Sequence, residues 1–160
     1  MKYPIVAFLL SLFFVAACAY VEHSIISHTT PVEYHFFQDE ITWHEAQTHC
    51  KSIGGDLVRI YDQATNDLII AHIIASDIGA NIDSGFWIGY NDQKVEGTFE
   101  WVSGFVCPYE NWGAGEPNNN ENLDPSGQDC VQLRKDTTQW DDEYCGEIRD
   151  KAFICEVEVC

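Results

Sequence analysis

Glu116-Pro117-Asn118, an acid- and amide-rich run to Gln128-Asp129-Cys130, and then Trp140-Asp141-Asp142 are the segments that decide how this chain is read. Calcium takes about six to eight hard oxygen ligands from carboxylates, side-chain amides and carbonyls. These segments supply those groups. A proline between Glu116 and Asn118 can hold both side-chain carbonyls toward one point. A cis Glu116–Pro117 bond would do so well, although cis is the minority state of X–Pro bonds. The bland alternative, an acidic Pro/Asn surface turn, accounts for a lone tripeptide equally well, so the context has to decide.

Working outward, residues 103–128 are dense in Gly, Pro, Asn and acids. A loop that long in a compact domain is usually functional or disordered. Upstream, Phe86-Trp87-Ile88-Gly89 and Phe99-Glu100-Trp101-Val102 read as short strands. Downstream, residues 129–133 and 152–157 read as strands, with a turn-rich acidic segment between them. Before residue 80 the pattern is helical. Thr42 is a good N-cap, and Trp43, Ala46, Cys50 and Ile53 follow at helical spacing until Gly54-Gly55 ends the run. Thr65 or Asn66 is expected to cap a second helix through Leu68, Ile69, Ile73 and Ile74. Residues 32–37 read as a first strand. The order, a strand, two helices, then short strands around one long loop, predicts an α+β domain.

The 160 residues fit one domain, and 46% apolar with 13% aromatic composition supplies a core. Residues 1–19 read as a signal peptide: Lys2 gives a positive start, residues 5–17 an apolar run, and Ala17-Cys18-Ala19 a small-residue cleavage site. A rival reading takes Val15-Ala16-Ala17-Cys18 as a lipoprotein box. Residues 20–32 form an N-terminal arm, and residues 33–160 the domain. Secretion implies an oxidising setting. The remaining cysteines, Cys50, Cys107, Cys130, Cys145, Cys155 and Cys160, make an even set of six whose pairing the spacing leaves open. The formal charge of −18 becomes −19 when Lys2 leaves with the signal. Such a chain is expected to repel nucleic acid and anionic membrane surfaces, and no membrane insertion is expected.

Enzyme motifs are missing. His44, Glu45 and His49 suggest a zinc protease, but the two histidines stand five apart, about 140° around a helix, and not on one face. They read as a solvated helix face. No Gly-x-Ser-x-Gly, phosphate loop or paired CxxC occurs.

Taken in order, Thr42-Trp43-His44-Glu45-Ala46, Gly54-Gly55-Asp56-Leu57-Val58, Phe86-Trp87-Ile88-Gly89, Phe99-Glu100-Trp101-Val102-Ser103-Gly104, Glu116-Pro117-Asn118, Asp129-Cys130-Val131, Trp140-Asp141-Asp142, Cys145 and Phe153-Ile154-Cys155-Glu156 resemble the C-type lectin domain family over residues 33–157. The resemblance implies a non-enzymatic, calcium-dependent carbohydrate-binding domain. It implies disulfides Cys50–Cys155 and Cys130–Cys145, leaving Cys107 and Cys160, at least one of which is expected to link two chains. It implies a principal calcium site of Glu116, Asn118, Gln128, Asp141 and Asp142, finished by two neighbouring sugar hydroxyls. An auxiliary site maps to Asp92, Glu96, Asn119, Gln128 and Asp129, with Glu121 or Asp124 as substitutes in a loop longer than usual. Tyr109 and Trp112 are candidates to stack on a sugar face; for Trp112 the alternative is packing at the loop base.

Two departures bear on specificity. The family usually has Glu where Gln128 stands and Asn where Asp141 stands. The ligand charge is unaltered, but donor and acceptor are exchanged. Glu116-Pro117-Asn118 goes with mannose-type sugars, and the exchange leaves galactose-type sugars open. The expectation is a secreted extracellular lectin for glycans on cell or microbial surfaces, similar to small soluble lectins of invertebrate innate defence. The alternative is a protein-interaction domain of the same fold, paired through Cys107 or Cys160 without sugar binding.

Overall fold

A computed structural model describes residues 31–104, 108–146 and 149–159 of the chain. The signal segment, Cys107 and Cys160 lie outside the described residues.

The chain runs β1 (Val32–Ile41), α1 (Trp43–Ser52), β2 (Asp56–Leu57), α2 (Gln63–Ser76), a 3-10 turn (Ile78–Asn81), β3 (Gly85–Asn91), β4 (Glu100–Trp101), β5 (Cys130–Arg134), β6 (Trp140–Glu143) and β7 (Lys151–Glu158). The strands form one seven-stranded sheet in the order β1-β7-β3-β5-β6, with β2 on β7 and β4 on β3. The architecture is α+β, as expected. The pairings are antiparallel except β3 with β7, which is parallel (Phe86 opposite Ala152, Trp87 opposite Phe153).

Local chemistry sets the first helix. The Thr42 hydroxyl accepts the Glu45 N–H while Glu45 returns a bond to the Thr42 N–H, closing a capping box. Trp43, Ala46 and Cys50 form its buried face. Glu45 is therefore a cap residue. His44 pairs with Gln93 and His49 sits edge-on to Phe37; His44 and Glu45 are exposed and His49 half-buried, so the helix face is largely solvated. The cap of α2 is Asp62, which accepts the Thr65 N–H at 2.7 Å, three residues before the expected Thr65. Thr65 supplies a satisfied N–H and not the cap.

β1 extends past Phe37 to Ile41 through a register irregularity, so polar Gln38, Asp39 and Glu40 hid its second half. A second correction is β6. Trp140-Asp141-Asp142-Glu143 has poor strand propensity and read as turn, yet it pairs with β5 over four residues, Cys130 opposite Glu143 to Leu133 opposite Trp140.

Two clusters fill the interior. One centres on Trp101, Trp140, Tyr90, Phe86 and Ile88; the other joins Trp43, Leu57, Trp87 and Phe153 to the cysteines. The Trp87 indole donates to the Ile41 carbonyl and that of Trp43 to Ile88, tying β1 and α1 to β3. Cys50–Cys155 and Cys130–Cys145 are both bridged, with Cα atoms 5.3 and 5.2 Å apart. The first closes a separation of 105 residues, on the order of 4–5 kcal/mol of chain entropy, and the second a separation of 15, about 3 kcal/mol. The second bridge clamps β5 to the end of β6. These two strands present their ends to the long loop.

Candidate functional site

The Glu116–Pro117 peptide is cis, and Asn119 stands at φ 42° just after it. This turn lays the loop across β6. Asp142 is fully buried and holds it there. Its carboxylate accepts the Asn118 N–H at 2.9 and 3.1 Å and the Asn119 N–H at 2.6 Å. The Asn118 side-chain amide donates to Glu116. Glu116, Asp141 and Asp142 thereby bring one carboxylate oxygen each within 4.8 Å of one another, the tight acidic group of three among the described residues.

Like charges this close oppose ionisation. Burial first, and then Asp141 and Asp142, push Glu116 up to about 7. Burial also raises Asp141, against the opposing pull of Arg134. Three hard oxygens that repel each other, beside an asparagine side chain, suit a divalent cation of the calcium type. The donor set fits the group the resemblance implies.

Gln128 is placed differently. It is 8% exposed, and its carboxamide is engaged on both sides. The oxygen accepts the Asn120 N–H at 2.8 Å and the nitrogen donates to Glu143 at 3.1 Å.

Of the auxiliary residues, Asp92 is 2% exposed. One oxygen takes the Gly97 N–H at 2.7 Å and the other, Oδ1, has no hydrogen-bond partner. Burial, reinforced by Glu96 and Asp129, pushes Asp92 up to about 6. A buried orphan carboxylate oxygen beside two further acids fits a cation, although Glu96 is exposed and the three are not gathered as tightly as the first group. Asn119 is used by the loop itself, its Oδ1 accepting the Gln128 N–H at 2.8 Å. Asp124 caps a turn through Ser126, and Glu121 is exposed.

The aromatic candidates, both half-buried, pack against the core. Trp112 lies against Phe99 (4.9 Å between ring centroids), Tyr90 and Trp140 (5.9 Å each). Tyr109 sits edge-on to Trp140 at 5.8 Å. Trp112 is thus at the loop base, half-buried against the core, as the packing alternative expects.

Sequence reasoning missed the residues behind the site. The Gln132 Nε2 donates to Asp141 at 2.9 Å, and Arg134 lies 3.6 Å from the same Asp141 oxygen. Glu143 pairs with buried Lys151 at 3.6 Å and with Arg149 at 3.8 Å. Their signal was alternation: 132 and 134 share one face of β5, and 141 and 143 one face of β6.

An α+β domain that gathers oxygen donors on a cis-proline loop defines a binding domain of the lectin class. The family model "Lectin C-type domain" matches residues 39–157, and the chain belongs to the C-type lectin domain family. It is 36% identical over 123 residues to the low affinity immunoglobulin epsilon Fc receptor of Mus musculus, covering 77% of this chain and 33% of that receptor. The chain therefore spans about a third of that relative. It is 33% identical over 124 residues to a perlucin-like protein of Mytilus galloprovincialis, covering 76% of this chain and 74% of that protein. Among solved structures it superposes on the mouse scavenger receptor C-type lectin carbohydrate-recognition domain with a TM-score of 0.69 at 29% identity, covering 79% of this chain and 90% of that one. This family and fold bind carbohydrate and are not enzymes. Among the described residues no helix is long and apolar enough to cross a membrane.

Proposed function

We propose that this chain is a secreted, calcium-dependent lectin favouring mannose-type sugars, with galactose-type sugars the runner-up. The observation that carries it is the Glu116–Asp141–Asp142 group on the cis-proline loop, three carboxylates with oxygens within 4.8 Å. Bound calcium would neutralise that group and hold two neighbouring sugar hydroxyls. Glu116 is half-buried and Asn118 exposed, Glu116 accepting from a hydroxyl and Asn118 donating to one. Asp142 anchors the turn through the Asn118 and Asn119 backbone N–H groups it accepts. The orphan oxygen of Asp92 supports a second, structural calcium under the loop. The sugar is not turned over. Secretion is supported by the apolar start of the chain and by its two bridges.

Retention on immobilised mannose and galactose, with and without calcium, tests this. The expected result is retention on mannose that chelator releases. Retention on neither resin, beside calcium binding in calorimetry, would instead favour a protein-interaction domain paired through Cys107 or Cys160.

A further inference from the structure

Two candidate ligands differ from the family's usual residues, Gln128 for Glu and Asp141 for Asn. Behind each stands a partner of matching hydrogen-bond type. We propose that Glu143 and Gln132, the latter helped by Arg134, are positioning residues that decide which atoms Gln128 and Asp141 present to cation and sugar. The proposal deepens the calcium-lectin reading and rests on it.

A carboxamide has one accepting oxygen and one donating nitrogen. In Gln128 the nitrogen donates to Glu143 Oε1 (3.1 Å), and the oxygen accepts the Asn120 N–H (2.8 Å). Turning the group over would set N–H against N–H and oxygen against carboxylate, so its orientation is locked. Gln128 keeps one oxygen lone pair for a cation. Glu143 is itself held, by the Tyr144 N–H at 3.1 Å and by Lys151 and Arg149. A glutamate at 128 would meet Glu143 as a second buried carboxylate at that separation.

Asp141 shows the complementary arrangement. It accepts only, and donors lie behind it: Gln132 Nε2 at 2.9 Å and Arg134 Nη1 at 3.6 Å, both on Oδ2. Oδ1 remains for a cation. An asparagine there would turn its oxygen to those donors and present an amide that binds no cation. The exchange at 128 and 141 is therefore matched by β5 and β6 and is not freely reversible.

It also decides specificity. The Gln128 nitrogen is turned to Glu143, and Asp141 has no proton to give. One Gln128 N–H is spent on Glu143 and Asp141 has none, so the exchanged pair offers the sugar only the second Gln128 N–H, and the exchange does not fully invert the site. Selectivity is left mainly to Glu116 and Asn118.

A double-mutant cycle of Gln128→Glu and Glu143→Gln tests this, with calcium affinity read by calorimetry and melting temperature read in chelator. Gln128→Glu is expected to weaken calcium binding about tenfold in the Glu143 background, despite adding a carboxylate, and to leave it unchanged or tighter in the Glu143→Gln background. In chelator it should lower the melting temperature in the first background only. Equal effects in both backgrounds would overturn the proposal. If the wild-type chain binds no calcium, the lectin reading fails at that step, while the cycle in chelator still reports on the Gln128–Glu143 pairing.

Discussion

At the scale of single residues, the calcium proposal makes ionisation and metal compete for the same carboxylates. Glu116 is raised to about 7 and Asp92 to about 6, both mainly by burial. A carboxyl whose folded value lies above its unfolded value favours the folded state when protonated. In chelator, these groups make the fold more stable as pH falls from 8 toward 6, and the melting temperature should rise over that interval. Calcium needs the ionised form, so its apparent affinity should fall over the same interval. Calorimetry and thermal melts at pH 8, 7 and 6 check both signs. A calcium affinity flat in pH would show that Glu116 is not a ligand. The residue types of the site were legible in the chain, because Glu116, Asn118, Asp141 and Asp142 sit in short, recognisable motifs. The direction of Gln128 was not, because it depends on Asn120 and Glu143, eight and fifteen residues away.

At the scale of elements, caps and turns carry predictions that packing does not obscure. Thr42→Ala removes the side-chain half of the α1 capping box and should cost about 1 kcal/mol in urea denaturation. Gly127 ends the long-loop excursion at φ 88°, and an added Cβ would lie 1.9 Å from Asn119 Oδ1. That oxygen is the acceptor of the Gln128 N–H. Gly127→Ala should cost about 1–3 kcal/mol and weaken calcium binding, since the loop must shift. Melts in chelator and calorimetry separate the two effects. The first helix was readable because its cap is local, Thr42 to Glu45. The start of α2 at Asp62 and the strand β6 were not. Asp62 competes with Thr65 as a cap of similar propensity, and three acids in a row deny β6 any strand signal of its own. Pairing with β5 overrides that propensity.

At the scale of the whole molecule, two disulfides and a shared aromatic interior connect the helices to the site. Cys130–Cys145 spans 15 residues and encloses β5 and β6, whose far ends hold Gln132, Arg134 and Asp141. Replacing both cysteines by serine should cost about 3 kcal/mol of stability and weaken calcium binding, as measured by denaturation and calorimetry. Unchanged calcium affinity would show that the sheet alone fixes the site. Trp140 makes the same connection through packing: fully buried, it meets Trp101, Trp112 and Tyr109 in the same core that lies under the loop.

The sequence by itself determined the class of this protein. Periodicity, the Thr42 cap, the cysteine set and the ordered motifs around Glu116-Pro117-Asn118 are each local features, and together they specify an α+β C-type lectin domain and most of its candidate ligands. Tertiary structure alone decided what lies behind those ligands. Gln132 and Arg134 meet Asp141, and Glu143 meets Gln128, only because β5 and β6 pair in one register. It also decided that Trp112 packs on the core, since Tyr90, Phe99 and Trp140, from three separate strands or their flanks, meet its ring. The physical reason is range. Caps and motifs act within one turn or loop, whereas hydrogen-bond direction and ring packing are set by neighbours that only the folded sheet brings together.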